Sequence, residues 1–357
     1  MIQKRIYFLL IGAMFLAAAT APATDRYSAG TKVVSQLIEE LVFQSGPFKI
    51  VGDLKLPEGK GPHPVVIFVH GDGPNSRISG GTYLPIMACM MRAGYATFAW
   101  DKPGTGESTG HIDRSRLFEQ RSRIVLDAIA MIKERPDIDA KRIGLWGVSQ
   151  AGYIMPIVLS KSHDVAFMIA VSCPGVAGVD QGAYLVAAQA VCAGLPEEDR
   201  KQVKDLLSAV ERARTYEEYV SYKKKLVAFP VLASITELGL NMRIRPKEEW
   251  HADDLKGDYY WNPIEVIEKT KIPVLAFFGE KDTQVDPVQG AQAYREALER
   301  AGNTNFRVEL IQGVDHSLII SKTGCLEERR RRSRKGWQNY PMIYLDTLEE
   351  WLRNLYK

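Results

Sequence analysis

Three observations predict an α/β fold with a mostly parallel central sheet, helices on both faces and an inserted helical cap. Short continuous apolar runs recur at 64–69, 95–100, 143–148, 165–171 and 272–278. Such runs suit strands buried on both faces, which have no polar side to alternate. Helical patterns fill the intervals between the early runs, as a parallel sheet with crossover helices requires. From Gly178 to Trp261 the alternation stops and the remaining signals are helical. The expected organisation is therefore a core over 24–177 and 263–357, with a cap over 178–262.

The bulk properties narrow the function classes. The chain has 357 residues, 46% hydrophobic and 25% charged, enough apolar material for a large core. A net charge of +3 is too mild to argue for a nucleic-acid partner, and no zinc-ligand spacing or RNA-binding signature is present. Residues 1–23 read as a secretory signal: Lys4 and Arg5 open it, Ile6 to Ala19 is apolar but short for a span, and two Ala-x-Ala-like triplets come after it. No cysteine comes after the triplets, so a lipid anchor is not expected. The expectation is an exported protein, periplasmic or secreted, with no stable membrane span once the signal is removed. Its oligomeric state is left open. The four cysteines (Cys89, Cys173, Cys192, Cys325) are too widely spaced for a disulfide framework. Export makes one bridge possible, with Cys173–Cys192 the pair to test, while apolar surroundings favour buried thiols at Cys89 and Cys173.

Taken in order, 33–41 reads as helical or irregular. Leu41 to Leu56 alternates about a turn at Ser45-Gly46-Pro47, which predicts a hairpin. The apolar strand over 64–69 ends in His70-Gly71-Asp72-Gly73-Pro74. A helix is expected over 84–93, a strand over 95–100, and a helix within 114–135, where Ile124, Val125, Ala128, Ile129 and Ile132 fall at helical spacing. A strand then enters Gly147-Val148-Ser149-Gln150-Ala151, and a helix runs on to about Ser160. After the strand over 165–171 the cap begins. A helix starts at Pro196-Glu197-Glu198, and further helices are expected over 216–229 and 231–240. The core resumes with a strand over 272–278, a helix over 287–301, a strand over 306–311 and a closing helix over 341–355.

Ser149 stands on a strand-to-helix turn whose neighbours two residues away, Gly147 and Ala151, are small enough to let it close. Such a turn lifts the hydroxyl clear and aims the next amide, that of Gln150, at the same spot. A serine hydroxyl is a weak nucleophile at neutral pH and needs a base, an orienter for that base and donors for the developing oxyanion. Partners in an α/β sheet sit just past strand ends. Of six histidines, His316 is the one that comes after a strand downstream of Ser149. His70 lies in the glycine-rich loop, where packing explains it, and His63, His111, His163 and His251 fall in loops or the cap. The acid is expected after the preceding strand, at Asp282. Asp286 is better explained as the N-cap of the helix begun by Pro287, Glu280 as a solvated turn residue, and Asp315 as facing away from Ser149 if His316 faces toward it. The loop after the 64–69 strand supplies the second oxyanion donor, the amide of Asp72. Gly71 and Gly73 allow that backbone to approach a substrate closely. The Asp72 carboxylate would repel an oxyanion, so it is expected to turn away, toward Asn75 or Arg77. Trp250 and Tyr260 are candidates to line the substrate pocket.

These motifs together resemble the α/β-hydrolase superfamily of serine hydrolases, in its esterase, dienelactone-hydrolase and serine-aminopeptidase-like branch. The matching pieces are Val69 to Pro74, Asp101 to Ser108, Gly147 to Gly152, Gly279 to Val285, and Gly313-Val314-Asp315-His316. Tyr260-Trp261-Asn262-Pro263 resembles the re-entry to the core after a cap. The resemblance covers roughly Leu41 to the C-terminus. It implies a Ser149/His316/Asp282 triad in the chain order of that superfamily, an acyl-enzyme and no metal or other cofactor. Asp72 departs from the small or uncharged residue often found there, which leaves substrate charge preference open. A small-molecule ester is the expected substrate, with a peptide or thioester as the alternative and a non-catalytic binding protein as a remote one. The cap is expected to limit access. The run from Glu327 to Lys335, rich in arginine, reads either as a solvated insertion or as a basic rim that recruits anionic substrates or an anionic surface.

Overall fold

The computed structural model describes residues 38–235, 238, 240–251, 257–332 and 340–357. The expected signal segment, residues 1–23, lies outside them, as do Arg334 and Lys335 of the basic run.

Eight strands form one sheet in the order β1-β2-β4-β3-β5-β6-β7-β8. β1 (Ile38–Ser45) and β2 (Phe48–Lys55) form the expected hairpin, and β2 runs antiparallel to both β1 and β4. The rest of the sheet is parallel: β3 (His63–Val69), β4 (Ala96–Trp100), β5 (Ile138–Val148), β6 (Val165–Val171), β7 (Val274–Gly279) and β8 (Phe306–Ile311). One expectation is corrected at the start, where Ile38 to Leu41 is strand. Its burial alternates with period two because one face of this edge hairpin is wet.

The continuous apolar runs have the expected cause. Val65, Ile67 and Val69 pack into the core on one face, and Val66 and Phe68 into the core on the other. Helices α2 (Leu117–Ile132), α3 (Ala151–Lys161) and α8 (Pro287–Arg300) cover the first face. Helices α1 (Leu84–Arg92) and α10 (Met342–Asn354) cover the second.

Between β6 and β7 stand α4 (Gly178–Cys192), α5 (Arg200–Arg212) and α6 (Tyr216–Val227), which share their own apolar cluster. Thr215 and Glu218 form a reciprocal capping box that starts α6. The helix expected over 231–240 is corrected. Among the described residues a tight turn of helix, Pro230–Ser234, stands there and ends before Ile235. Pro230 sits in its first turn, where a missing N–H costs nothing, and Leu232 and Ile235 of the apolar stripe pack into the cap's own cluster. The short α7 (Ile264–Ile267) leads back into the sheet, and α9 (Leu326–Arg331) lies between β8 and α10.

The disulfide joins Cys192, the last residue of α4, to Cys325, the residue before α9, and not Cys192 to Cys173. Cys173 is a buried free thiol against the β5–α3 turn, where its thiol meets the Gly147 carbonyl. Cys89 is likewise buried and free, as expected.

Candidate active site

The chain passes from β3 to its neighbour β4 and then crosses back over β3 to β5. Connections therefore leave β3 and β5 in opposite directions and open a crevice beyond their carboxyl ends. Ser149 stands just past β5 and Gly71 just past β3, across that crevice from each other.

Ser149 has φ of 59°, a left-handed conformation that a non-glycine residue rarely adopts. Its amide donates to the Val171 carbonyl at 2.9 Å, which ties the turn to β6. The small residues around it are demanded by contact. A Cβ on Gly147 would lie 2.6 Å from Ala151 Cβ and 2.8 Å from Met155 Sδ, and one on Gly152 would lie 2.6 Å from Cys173 Cβ. Gly71 runs close to the elbow, where a Cβ would come within 3.4 Å of Ser149 Cβ.

Asp282 leaves β7 in a tight turn, its amide donating to the Gly279 carbonyl at 2.9 Å. Its Oδ1 accepts from the amides of Gln284 (2.7 Å) and Val285 (2.9 Å), and its Oδ2 lies 2.7 Å from Nδ1 of His316. Both side chains are buried. With Oδ1 held by two amides the carboxylate cannot rotate, so the imidazole is fixed with Nδ1–H toward Asp282. Asp286 instead accepts from the Gln289 amide at 3.0 Å as the N-cap of α8. Glu280 is exposed and accepts from the Gly313 amide at 2.8 Å. Asp315 turns away into its own loop and accepts from the Ser317 amide at 2.9 Å.

Ser149, His316, Gly71, Asp72 and Gly73 line one cavity of about 530 Å³. Gln150 lies beside it as the first turn of α3 begins. Its side-chain oxygen accepts from Arg121 of α2, and the same guanidinium donates to the His70 carbonyl. One buried cation thus ties together the two segments that carry the expected oxyanion donors. Behind the glycine loop, Lys102 Nζ donates to the carbonyls of Gly71 (3.1 Å) and Gly73 (2.6 Å). Burial, and then repulsion by Arg121, bring its pKa down to about 7. His70 does pack: Nε2 lies 2.6 Å from the Trp100 carbonyl and Nδ1 3.2 Å from the Tyr83 hydroxyl. Burial holds its pKa near 3, so the ring is neutral, with Nε2–H the donor and the Tyr83 hydroxyl the donor to Nδ1.

The Asp72 side chain is exposed, and its charge is felt by Lys102 and Arg121. Asn75 does reach this residue, but at the backbone carbonyl, at 3.1 Å. Arg77 is committed elsewhere, to Asp101, Asp53 and Glu40, and so pins the β3 loop to the edge hairpin.

Two expectations about the pocket change. Trp250 stacks on Tyr219 inside the cap cluster, with ring centroids 5.7 Å apart, and Tyr260 donates to the Glu211 carbonyl at 2.6 Å. Neither lines the cavity beside Ser149. Among the described residues no part of the cap does. The cap instead buttresses the acid loop from outside: Tyr184 donates to the Asp282 carbonyl at 2.8 Å and Gln181 to the Gln284 carbonyl at 2.7 Å. The segment after His316 also lines the cavity, through Arg329, Arg332, Tyr340 and Tyr344. Composition hinted at this segment through its arginine run, but nothing local says which way such a run folds.

A family model described as X-Pro dipeptidyl-peptidase (S15 family) matches residues 45–317. The chain belongs to that family. Its span includes Ser149, Asp282 and His316. Esterase EstD of Thermotoga maritima is 24% identical over 279 residues, 76% of this chain and 58% of that protein. An uncharacterised 31.7 kDa protein of Escherichia coli is 35% identical over 100 residues, 28% of this chain and 33% of that one. The matches thus span only a third to somewhat over half of these relatives' lengths. Among solved structures, an esterase of Pyrococcus furiosus aligns with a TM-score of 0.56 at 16% identity over 91% of this chain and 94% of that one. A proline iminopeptidase of Mycobacterium smegmatis aligns with a TM-score of 0.51 at 16% identity over 88% and 97%. The fold is that of an α/β-hydrolase, as the sequence resemblance implied.

Proposed function

We propose that the protein is a serine hydrolase that cleaves carboxylic esters of small to medium size through an acyl-enzyme. The observation that carries this reading is the 2.7 Å contact between Asp282 and His316 on a cavity shared with the strained Ser149. In this reading Asp282 holds Nδ1–H, which leaves Nε2 as the acceptor for the Ser149 proton. Ser149 Oγ attacks the acyl carbon and the carbonyl oxygen becomes an oxyanion, held by the amides of Gln150 and Asp72. His316, now cationic beside Asp282, returns the proton to the leaving oxygen and the alcohol departs. Water then loses a proton to His316, attacks the acyl carbon, and Ser149 is released with the acid. No metal or cofactor enters the scheme.

Family membership supports a second reading, a peptidase acting on the same acyl-enzyme principle. A dipeptidyl substrate brings an α-ammonium group. The cavity offers it one carboxylate among its lining residues, Asp72 on the oxyanion loop, against two arginines. That balance favours the ester. A panel of nitrophenyl esters and X-Pro or aminoacyl anilides separates the two, with ester turnover expected to dominate by orders of magnitude. The fluorophosphonate adduct of the wild type should vanish in Ser149→Ala, and a labelled variant would remove Ser149 from the scheme. We further propose that the protein is exported. The Cys192–Cys325 bridge supports this, since such bridges persist in oxidising compartments, and fractionation of the native host would locate it.

A further inference from the structure

The two amides assigned to the oxyanion are set by the fold in different ways. The Ser149 carbonyl accepts from the Gly152 amide at 2.8 Å as α3 begins, so the Gln150 N–H faces the other way, back toward the elbow. Helix geometry alone fixes that donor. The Asp72 amide has no such support. It stands in an irregular loop, between Gly71 and Gly73. Gly71 has no Cβ to restrain its backbone angles, so the peptide plane between Gly71 and Asp72 is free to flip. One orientation presents an N–H to the cavity. The other presents a carbonyl oxygen, which would repel a developing oxyanion.

A group outside the loop must choose between these orientations, and Lys102 stands where it can. Its Nζ donates to the Gly71 carbonyl at 3.1 Å and to the Gly73 carbonyl at 2.6 Å. Gly71, Asp72 and Gly73 line the cavity beside Ser149, whereas Lys102 does not and lies behind them. The peptide between Gly71 and Asp72 is trans. In a trans peptide the C=O and the next N–H point opposite ways. With the Gly71 carbonyl drawn back to Lys102, the Asp72 N–H is turned to the cavity side. It has no acceptor there among the described residues.

The lysine is itself held. Its amide donates to the Asn75 carbonyl at 3.0 Å, and its carbonyl accepts from the Thr105 amide (2.8 Å) and the Thr105 hydroxyl (2.7 Å). Its side chain is buried, and both contacts of its ammonium are to neutral carbonyls. Burial penalises that charge. An apolar side chain of the same length would fill the space without this cost, so packing does not account for an ammonium there.

We propose that Lys102 is a positioning residue for the oxyanion: it locks the Gly71–Asp72 peptide with its N–H toward Ser149. This role rests on the serine-hydrolase chemistry above and holds whether the scissile bond is an ester or an amide.

The test uses an alkyl trifluoromethyl ketone and the methyl ketone of the same chain. The first accepts Ser149 Oγ at its carbonyl carbon and holds a tetrahedral oxyanion, whereas the second binds with its carbonyl intact. The wild type should bind the trifluoromethyl ketone far more tightly. Lys102→Met should weaken that complex by about tenfold or more, approaching the hundred- to thousandfold loss typical when one oxyanion donor is removed outright. The methyl ketone should bind as before. On a nitrophenyl ester kcat should fall by the same factor, with KM little changed. If Lys102→Met does not fold, Lys102→Gln gives the same readout. Its N–H2 stops one bond short and cannot reach both carbonyls, so a smaller loss in the same direction is expected. Equal weakening of the two ketones, or an unchanged preference in the variant that folds, overturns the role. A wild type that takes a fluorophosphonate label while its variant keeps the full ketone preference rejects the role alone. A wild type with neither the label nor the preference rejects the hydrolase reading, and this role with it.

Discussion

At the scale of single residues, the decisive contrast is between two aspartates four positions apart. Asp282 has one oxygen on two amides and the other on His316, whereas Asp286 caps a helix. Asp282→Asn should therefore lower kcat by about 10⁴-fold, because the amide no longer fixes the tautomer or stabilises the cationic ring. Asp286→Asn should leave kcat near the wild type. Steady-state kinetics on one nitrophenyl ester decides it, and the reverse outcome would move the acid to Asp286. Lys102 carries a different expectation. Its unfolded pKa is about 10.4, while in the fold it is about 7. Between those values the unfolded chain holds a proton that the folded protein has released, so stability rises with pH across this window. The denaturation midpoint should climb from pH 7 to 9.5 more steeply in the wild type than in Lys102→Met. Parallel slopes would mean that the amine is not desolvated in the fold.

At the scale of elements, the site is an assembly of loops whose relative positions are set by a few cross-ties. Arg121 projects from α2, several elements away in sequence, and bonds both the β3 loop and the first turn of α3. Arg121→Met should lower kcat by about 10- to 100-fold, with a smaller change in KM, because misplaced donors act on the transition state more than on bound substrate. A rise in KM at constant kcat would give Arg121 a role in substrate binding instead. The helical spacing of α2 was plain in the sequence, and Arg121 fell within it unremarked. A charged residue on an amphipathic helix is usually solvated, and only the packed structure shows this one buried. The elbow was legible for the opposite reason. Gly147 and Gly152 are small because Ala151 and Met155, four and eight residues beyond Gly147, and Cys173 beside Gly152 already fill the space.

At the scale of the whole molecule, the cap and the segment after His316 are joined by the Cys192–Cys325 bridge, which closes 133 residues of separation. Loops this long make a bridge worth about 4–5 kcal/mol in the chain-entropy model, and commonly less in practice. Reduction, or the double substitution Cys192→Ser/Cys325→Ser, should lower the unfolding midpoint clearly. An unchanged midpoint under reducing and oxidising conditions would show that the cap and core are held without it. The sequence by itself determined the features that local pattern dictates. It determined the buried strands, because a run apolar at every position has no wet face to offer. It located the serine turn, and it placed His316 and Asp282 after successive strands. Only the tertiary structure decided what depends on distant partners. Cys192 pairs with Cys325 rather than Cys173, Trp250 and Tyr260 serve the cap rather than the cavity, and Arg329 and Arg332 of the arginine run line the cavity beside Ser149. The physical reason is one of range. Backbone pattern is dictated by neighbours within a few residues, whereas the pairing of a side chain is settled by whatever the sheet and its crossings bring against it.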